Sequence, residues 1–334
     1  MKKYRYQAAW LSLCLIVMFL TGCGGQDNTE DNTTQGPALH KIILQTDWYA
    51  QPEHAGFYYA VEAGYYSDLG LDVEIRPGAN MTGVPQLVAT KRIQFALGTS
   101  DNMLMAASRG IPLVGVFPYF QHDPQCVMAH KSSGITELSQ LDGRTVMISP
   151  GAGYVQYLQK TLGIRLQIVP LDYSLTRFLA DPEFIQQCFL TNEPYYVEQQ
   201  GIEASVIPMS TSGFDPYRLV YSNAEYVAQN PDIVKRFVEA SKKGWQSYIE
   251  TDGDIAHQKI SALNPQHTDA SMTWTKNAME QYRLIAGYEE KGQRFGLFER
   301  ARIEEQISQL TELKMLDGTL NLDQTFPLGL TDLP

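Results

Sequence analysis

Positive charge, cysteine and long apolar runs are all scarce in this chain. Lysine and arginine number 26 against 37 acidic residues, a formal net charge of −11 over 334 residues, and no stretch gathers a basic cluster. Neutralising a phosphate backbone takes such a cluster, so nothing supports a nucleic-acid partner. The four cysteines include no C-x-x-C pair and no Cys/His set at metal-ligand spacing, which argues against a zinc site and a disulfide-dense scaffold alike. No metal and no cofactor is expected. G-x-S-x-G, HExxH and repeats of 20 to 50 residues are also missing, so the motif-bearing hydrolases and the solenoids lose support. What is present, 44% hydrophobic and 11% aromatic residues, suffices for a packed globular body of one or two domains.

The first residues point to export. Lys2, Lys3 and Arg5 precede an apolar run over 8–20 broken only by Ser12, and Leu20-Thr21-Gly22-Cys23 closes it with small residues. This pattern predicts a secretory signal over 1–22. The run falls short of the roughly 20 apolar residues that span a bilayer. Its Leu-x-Gly-Cys ending resembles a bacterial lipoprotein box, which implies a lipid on Cys23 and a protein anchored to a membrane of the cell envelope, facing the periplasm or exterior. Residues 23–38, polar and rich in Asn, Thr and Asp, form a flexible tether on that reading. Cys14 then leaves with the signal, and Cys126 and Cys188 remain. They could pair in an oxidising compartment, but two small buried thiols is the state adopted.

From residue 41 short β-rich runs alternate with helical stretches. Strands are expected over 41–46, 71–75, 95–97 and 113–120, with helices over 56–63, 84–89 and 102–109 between them. A second series follows, with strands over 145–148, 166–169, 187–190 and 204–207 and helices over 154–162 and 194–200. Single helices between strands predict parallel sheets in an α/β fold. Beyond about residue 219 only helices are expected, over 231–248, 255–263, 271–286 and 300–313. Two α/β lobes and a helical tail make a bilobal plan.

Ligands of open α/β sheets sit where loops leave the carboxyl ends of strands, and four such loops carry chemistry. Thr46-Asp47-Trp48-Tyr49, followed by Gln51-Pro52-Glu53-His54, gathers aromatics, carboxylates and a histidine; core packing of Trp48 and capping by Asp47 and His54 is the alternative. Gly98-Thr99-Ser100-Asp101 is a glycine turn that helix capping alone would explain. Ser149-Pro150-Gly151-Ala152-Gly153-Tyr154 could present backbone N–H groups to an anion, but it lacks the ending of a phosphate-binding loop. Leu190-Thr191-Asn192-Glu193-Pro194-Tyr195-Tyr196 places Pro194 in a first helical turn, whose partial positive charge favours an ionised Glu193. Such a carboxylate accepts hydrogen bonds, suits an aminopyrimidine edge and repels sulfonate or nitrate; capping again is the alternative.

Asp47-Trp48-Tyr49, His54-Ala55-Gly56-Phe57-Tyr58, Gly64-Tyr65-Tyr66, Gly70-Leu71-Asp72-Val73 and Asn192-Glu193-Pro194-Tyr195 together resemble the NMT1/THI5-like group of ABC-importer substrate-binding proteins. The resemblance spans roughly residues 40–240 and implies a type II periplasmic-binding-protein fold, two α/β lobes joined by two crossing strands with the helical tail on lobe one. It places lobe one at 39–128 and 218–334, lobe two at 129–217 and the crossings at 127–130 and 218–221. The opening motif is most similar to formylaminopyrimidine and hydroxymethylpyrimidine binders. That implies Trp48 and Tyr58 as stackers and Glu193 as acceptor, with Asp47, His54 and Ser100 around them; Gly151, Tyr154 and Asn192, from the loops above, complete the expected ligand-binding set. The implied partners are a small solute and an ABC permease with its ATPase, and a monomer is expected. Riboflavin, sulfonate or nitrate are the other solutes the group suggests. Fungal members that make the pyrimidine carry a C-C-C-F-C run, absent here, so no catalysis is expected.

Overall fold

The computed structural model describes residues 39–78 and 83–327. The signal and the whole tether, Cys23 included, lie outside them. The chain opens a first sheet with β1 (His40–Gln45), β2 (Leu71–Arg76), β3 (Phe95–Thr99) and β4 (Leu113–Phe120). It then lays down a second with β5 (Gln125–His130), β6 (Thr145–Ile148), β7 (Gln167–Pro170), β8 (Ile185–Phe189) and β9 (Ala204–Pro208), and returns to the first as β10 (Arg218–Asn223). The orders are β2-β1-β3-β10-β4 and β7-β6-β8-β5-β9.

Neither sheet is wholly parallel, as the alternation predicts it to be. β10 runs antiparallel between β3 and β4, and β5 runs antiparallel to both β8 and β9. These two strands arrive from the other sheet, so no crossover helix within their own sheet dictates their direction. The chain passes between sheets at 121–124 and 209–217. The residues expected to cross, 127–130 and 218–221, lie within strands β5 and β10.

The antiparallel pairing also decides the cysteines. Cys126 faces Cys188 across β5 and β8, their Cα atoms 4.8 Å apart, and the two are joined as a disulfide instead of remaining thiols. Directly opposed residues of an antiparallel pair lie within disulfide reach, a proximity that a sequence separation of 62 conceals.

Helices α1 (Ala55–Glu62), α2 (Tyr65–Asp68), α3 (Val84–Ala89) and α4 (Ser100–Ser108) connect the first strands, and α5 (Gly153–Lys160), α6 (Thr176–Ala180) and α7 (Glu193–Gln199) the second. The tail consists of α8 (Ala224–Gln229), α9 (Pro231–Glu250), α10 (Asp254–Leu263), α11 (Asp269–Gln281), α12 (Arg300–Glu312) and α13 (Leu322–Thr325). It packs back on lobe one, α9 against α1 and α12 against α4. The α1–α9 contact depends on two glycines. A Cβ on Gly56 would stand 2.1 Å from the Trp245 ring, and one on Gly244 would stand 2.2 Å from the Gly56 carbonyl oxygen. Trp245 in turn packs edge-on against Phe57 and flat against Tyr119, which makes a stiff base for the loop before α1. α11 also reaches α7, so the tail touches both lobes. No helix among the described residues is long and apolar enough to cross a membrane.

Candidate functional site

β1 delivers its chain directly into a tightly bonded loop. Thr46 Oγ1 donates to the Trp48 carbonyl at 2.6 Å and accepts from Gly78 N at 2.9 Å, while Gly78 N also donates to the Trp48 carbonyl at 2.8 Å. A side chain at Gly78 would put its Cβ 2.4 Å from the Thr46 carbonyl oxygen, so the close approach that fixes Trp48 requires glycine there.

Behind Trp48 lies a buried ion-pair network. Asp47 accepts from Arg218 Nη2 and pairs with His54 Nε2 at 3.0 Å. Burial pushes the Asp47 carboxyl up, but Arg218 and His54 outweigh it and hold the group well below the usual carboxylate range. Arg218 Nε also donates to Tyr119 Oη at 3.3 Å, and its Nη1 stands 3.9 Å from Asp123. The sequence offers no signal for Arg218 beyond a basic residue at the start of a strand, because its partners are up to 171 residues away.

In front of the network opens a cleft of about 640 Å³ walled by Trp48, Tyr49, Tyr173 and Tyr196, with Asn192, Glu193 and His267 supplying polar groups. This size falls within the usual range for small-molecule pockets. Trp48 and Tyr173 pack on each other in the wall of this cleft, ring centroids 5.3 Å apart and planes tilted by 34°, which leaves no room for a third ring between them. Burial lowers His267 to about 4, so its imidazole is neutral at pH 7.

Glu193 opens α7, and its Oε2 accepts from Phe189 N at 2.7 Å. Burial raises its pKa and the nearby Glu53 adds to the rise, so the helix terminus does not dominate as the sequence suggests. Burial likewise raises the Glu53 carboxyl, whose Oε1 accepts from Thr191 Oγ1 at 2.5 Å; Thr275 Oγ1 donates to the Thr191 carbonyl at 2.7 Å. The 190–193 loop of the second series is therefore bonded to both the start and the tail of lobe one.

A second, smaller cavity of about 80 Å³ shares no lining residue with the cleft and is bordered by Asp101, Asp123, Gln125, Gly153, Tyr154 and Phe214 among others. The structure thus divides the sequence-derived set. Trp48, Asn192 and Glu193 line the cleft, Tyr154 lines the smaller cavity, and Asp47 and His54 form the network behind Trp48. Three residues belong to neither cavity nor to the network. Tyr58 is 1% exposed inside the core, and the ring that packs on Trp48 is Tyr173. Ser100 is buried, its Oγ donating to Gln306 Oε1 at 2.6 Å and accepting from Tyr217 N at 2.9 Å. Gly151 is exposed on the surface, and the inward glycine of that turn is Gly153. Tyr173 and His267 escape sequence reasoning; a tyrosine after a weak strand and a histidine after the Asn264-Pro265 break are the only hints.

The model of one family, described as NMT1/THI5 like, matches residues 51–253. The chain is 26% identical over 251 residues to the formylaminopyrimidine-binding protein of Halalkalibacterium halodurans, covering 72% of this chain and 74% of that protein. It is 26% identical over 252 residues to a 4-amino-5-hydroxymethyl-2-methylpyrimidine phosphate synthase of Saccharomyces cerevisiae, covering 68% and 72%. The periplasmic aliphatic sulphonate binding protein of Escherichia coli superposes with a TM-score of 0.66 at 11% identity, covering 87% of this chain and 92% of that one. The shared architecture is the periplasmic-binding-protein fold.

Proposed function

The chain belongs to the NMT1/THI5-like family, and from that membership we propose that it is the solute receptor of an ABC importer. The solute is a flat N-heteroaromatic molecule, a thiamine pyrimidine precursor of the formylaminopyrimidine or hydroxymethylpyrimidine type. The observation that carries this reading is the composition of the large cleft: the aromatic rings of Trp48, Tyr49, Tyr173 and Tyr196, the Glu193 carboxylate, and no lysine or arginine among the described lining residues. Aromatic walls suit a planar solute. A carboxylate suits its N–H groups, and a cleft without a cationic side chain gives sulfonate or nitrate no counter-charge.

Isothermal titration with hydroxymethylpyrimidine, formylaminopyrimidine, riboflavin and an alkanesulfonate tests the assignment. A receptor binds one equivalent of its solute and leaves it chemically unchanged. Glu193→Gln keeps the shape but replaces one acceptor oxygen with a donor, so pyrimidine affinity falls at least about tenfold, as expected for a lost charge-assisted bond. Loss of affinity in Trp48→Ala with none in Glu193→Gln would keep a stacked heteroaromatic and remove the aminopyrimidine. Sulfonate binding with both variants neutral would remove the reading altogether.

Delivery to a permease requires the receptor to stay at the membrane, and we assign that task to a lipid on Cys23. Cys23→Ala should then release the protein or leave its signal uncleaved. A variant that is processed normally and bound as firmly as the wild type contradicts the anchor.

A further inference from the structure

The two passages between the sheets, 121–124 and 209–217, are bonded to each other and to the tail through His122, Asp215, Gln293 and Arg302, none of which lines the cleft or the smaller cavity. On the first passage, Gln121 N and His122 N both donate to the Leu284 carbonyl, at 2.6 and 3.2 Å. On the second, Asp215 Oδ1 accepts from Asp123 N at 3.0 Å, and Oδ2 accepts from Arg302 Nη2 of α12 at 3.2 Å. The same Nη2 donates to the carbonyls of Gln121 and Asp215, so α12 grips both passages.

His122 is buried at the centre of these bonds. Its Nδ1 meets Asp215 Oδ2 at 2.5 Å, and its Nε2 meets Gln293 Oε1 at 2.9 Å. The Gln293 amide is fixed in that orientation, because Oε1 also accepts from Tyr288 N at 2.8 Å and a reversed amide would set N–H against N–H there. Both ring nitrogens therefore face acceptors. A neutral imidazole has one N–H, so only the imidazolium fills both contacts. When one proton leaves, the proton on Nδ1 is the one retained, since a lone pair there would oppose the Asp215 carboxylate. The Nε2 lone pair then opposes Gln293 Oε1, and either that contact or the one from Tyr288 N must break.

The charged and titratable groups around the ring are Asp215 and Arg302, Asp123 next in the chain, and Tyr288, whose ring lies 5.1 Å away and is itself flanked by Arg283 and Lys291. Burial pushes Asp123 up to about 7, so it titrates close by and has to be told apart from the ring.

We propose that His122 is a proton-operated clamp at the hinge between the lobes. Charged, it fastens the first passage to the second and to the 288–293 segment of the tail; on losing its proton it lets that segment go. The clamp is thus present at low pH and lost as pH rises through the titration of the ring. Because the tail packs on lobe one, its release from the passages removes a restraint on rigid-body motion of the lobes and shifts their population.

The full chain, without solute and labelled with nitrogen-15 in its histidine rings and backbone, is titrated from pH 5 to pH 9. Ring shifts report the protonation of His122, and hydrogen exchange, corrected for its intrinsic pH dependence, reports protection of the Tyr288 amide. His122 should begin with both nitrogens protonated and keep its Nδ1 proton when Nε2 loses its own. Protection of Tyr288 should fall at least about tenfold over that same titration, as expected for a lost bond to a charged group. In His122→Gln the fall should vanish. Gln293→Glu sets a carboxylate against Nε2 and should carry the ring titration and the loss of protection together to higher pH, by about 1 pH unit or more. This variant keeps an acceptor for Tyr288 N, so it decides the matter even should His122→Gln not fold. The proposal is overturned by a ring neutral throughout, by protection that ignores the ring titration, or by a titration unmoved in Gln293→Glu. A fall that persists in His122→Gln belongs to Asp123 and overturns it as well. With no solute in the experiment, failure here leaves the heteroaromatic assignment untouched, and failure of that assignment leaves the clamp.

Discussion

Trp48 and Tyr173 pack on each other in the wall of one cleft, yet they are held in opposite ways. The Trp48 carbonyl accepts from both Thr46 and Gly78, and the residue before it is paired with buried Arg218 and His54. Tyr173 is 65% exposed and sits at φ 62, in the left-handed region. Around it the side-chain hydrogen bonds are local, Asp172 Oδ1 accepting from Ser174 N at 2.9 Å and Ser174 Oγ donating to Thr176 at 3.0 Å. One ring is therefore set by long-range bonds, and the other is held by bonds within its own loop. The fixed wall ties affinity to stability; the locally held one separates them.

Removing the support of the fixed wall is expected to have the largest effect. Arg218→Met leaves Asp47 and Asp123 buried without their cation and should destabilise the protein by about 3–5 kcal/mol at pH 7, the range for breaking a buried pair from one side. The pH dependence follows from the lowered Asp47 pKa. A carboxyl whose folded-state pKa lies below its unfolded value contributes stability that is present above the unfolded value and lost as pH falls toward the folded one. Denaturant titrations should therefore show a smaller difference between variant and wild type at pH 2.5 than at pH 7. Equal differences at the two pH values would detach Asp47 from Arg218.

Gly78→Ala comes next, because it moves Trp48 without touching its ring. The displaced Thr46 carbonyl should cost at least tenfold in solute affinity, as much as Trp48→Ala, together with a measurable fall in the thermal midpoint. Wild-type affinity in Gly78→Ala would mean that the bonds around Trp48 do not position it.

Tyr173→Gly should be mildest in stability. Relief of a left-handed non-glycine residue, about 1–2 kcal/mol, works against the greater unfolded-state entropy of glycine, so the thermal midpoint should stay within about 2 °C. Solute affinity should nevertheless fall by about threefold as one stacking face is lost. A large drop in midpoint would show that the Tyr173 loop is as firmly built as the Trp48 loop, and the contrast between the walls would disappear.

Much of the site was legible in the sequence where a loop advertises itself. Trp48, Asn192 and Glu193 stand in loops unusually rich in aromatics and carboxylates, directly after strand patterns, and that is where the cleft opens. Tyr58 misleads because α1 is buried from Ala55 through Ala60, pressed between the first sheet and α9, so aromatic spacing on it reports core packing. Ser100 misleads in the same way, since a hydroxyl at a helix start satisfies the backbone of Tyr217 and the side chain of Gln306 before it can serve a solute.

The sequence by itself determined the alternation of strands and helices, the helical tail, and helix ends at Gly64, Gly163 and Gly201, all of which adopt positive φ. These are local properties, fixed by side-chain period and by the backbone freedom of glycine within a few residues. Tertiary structure alone decided that Cys126 faces Cys188, that Arg218 reaches Asp47, that Tyr173 packs on Trp48 and that Asp101 and Asp123 border one cavity. Each of those meetings depends on the order of strands in two sheets and on the two passages between them. Strand order is set by which apolar faces bury each other across the whole chain, and no window of neighbouring residues carries that information.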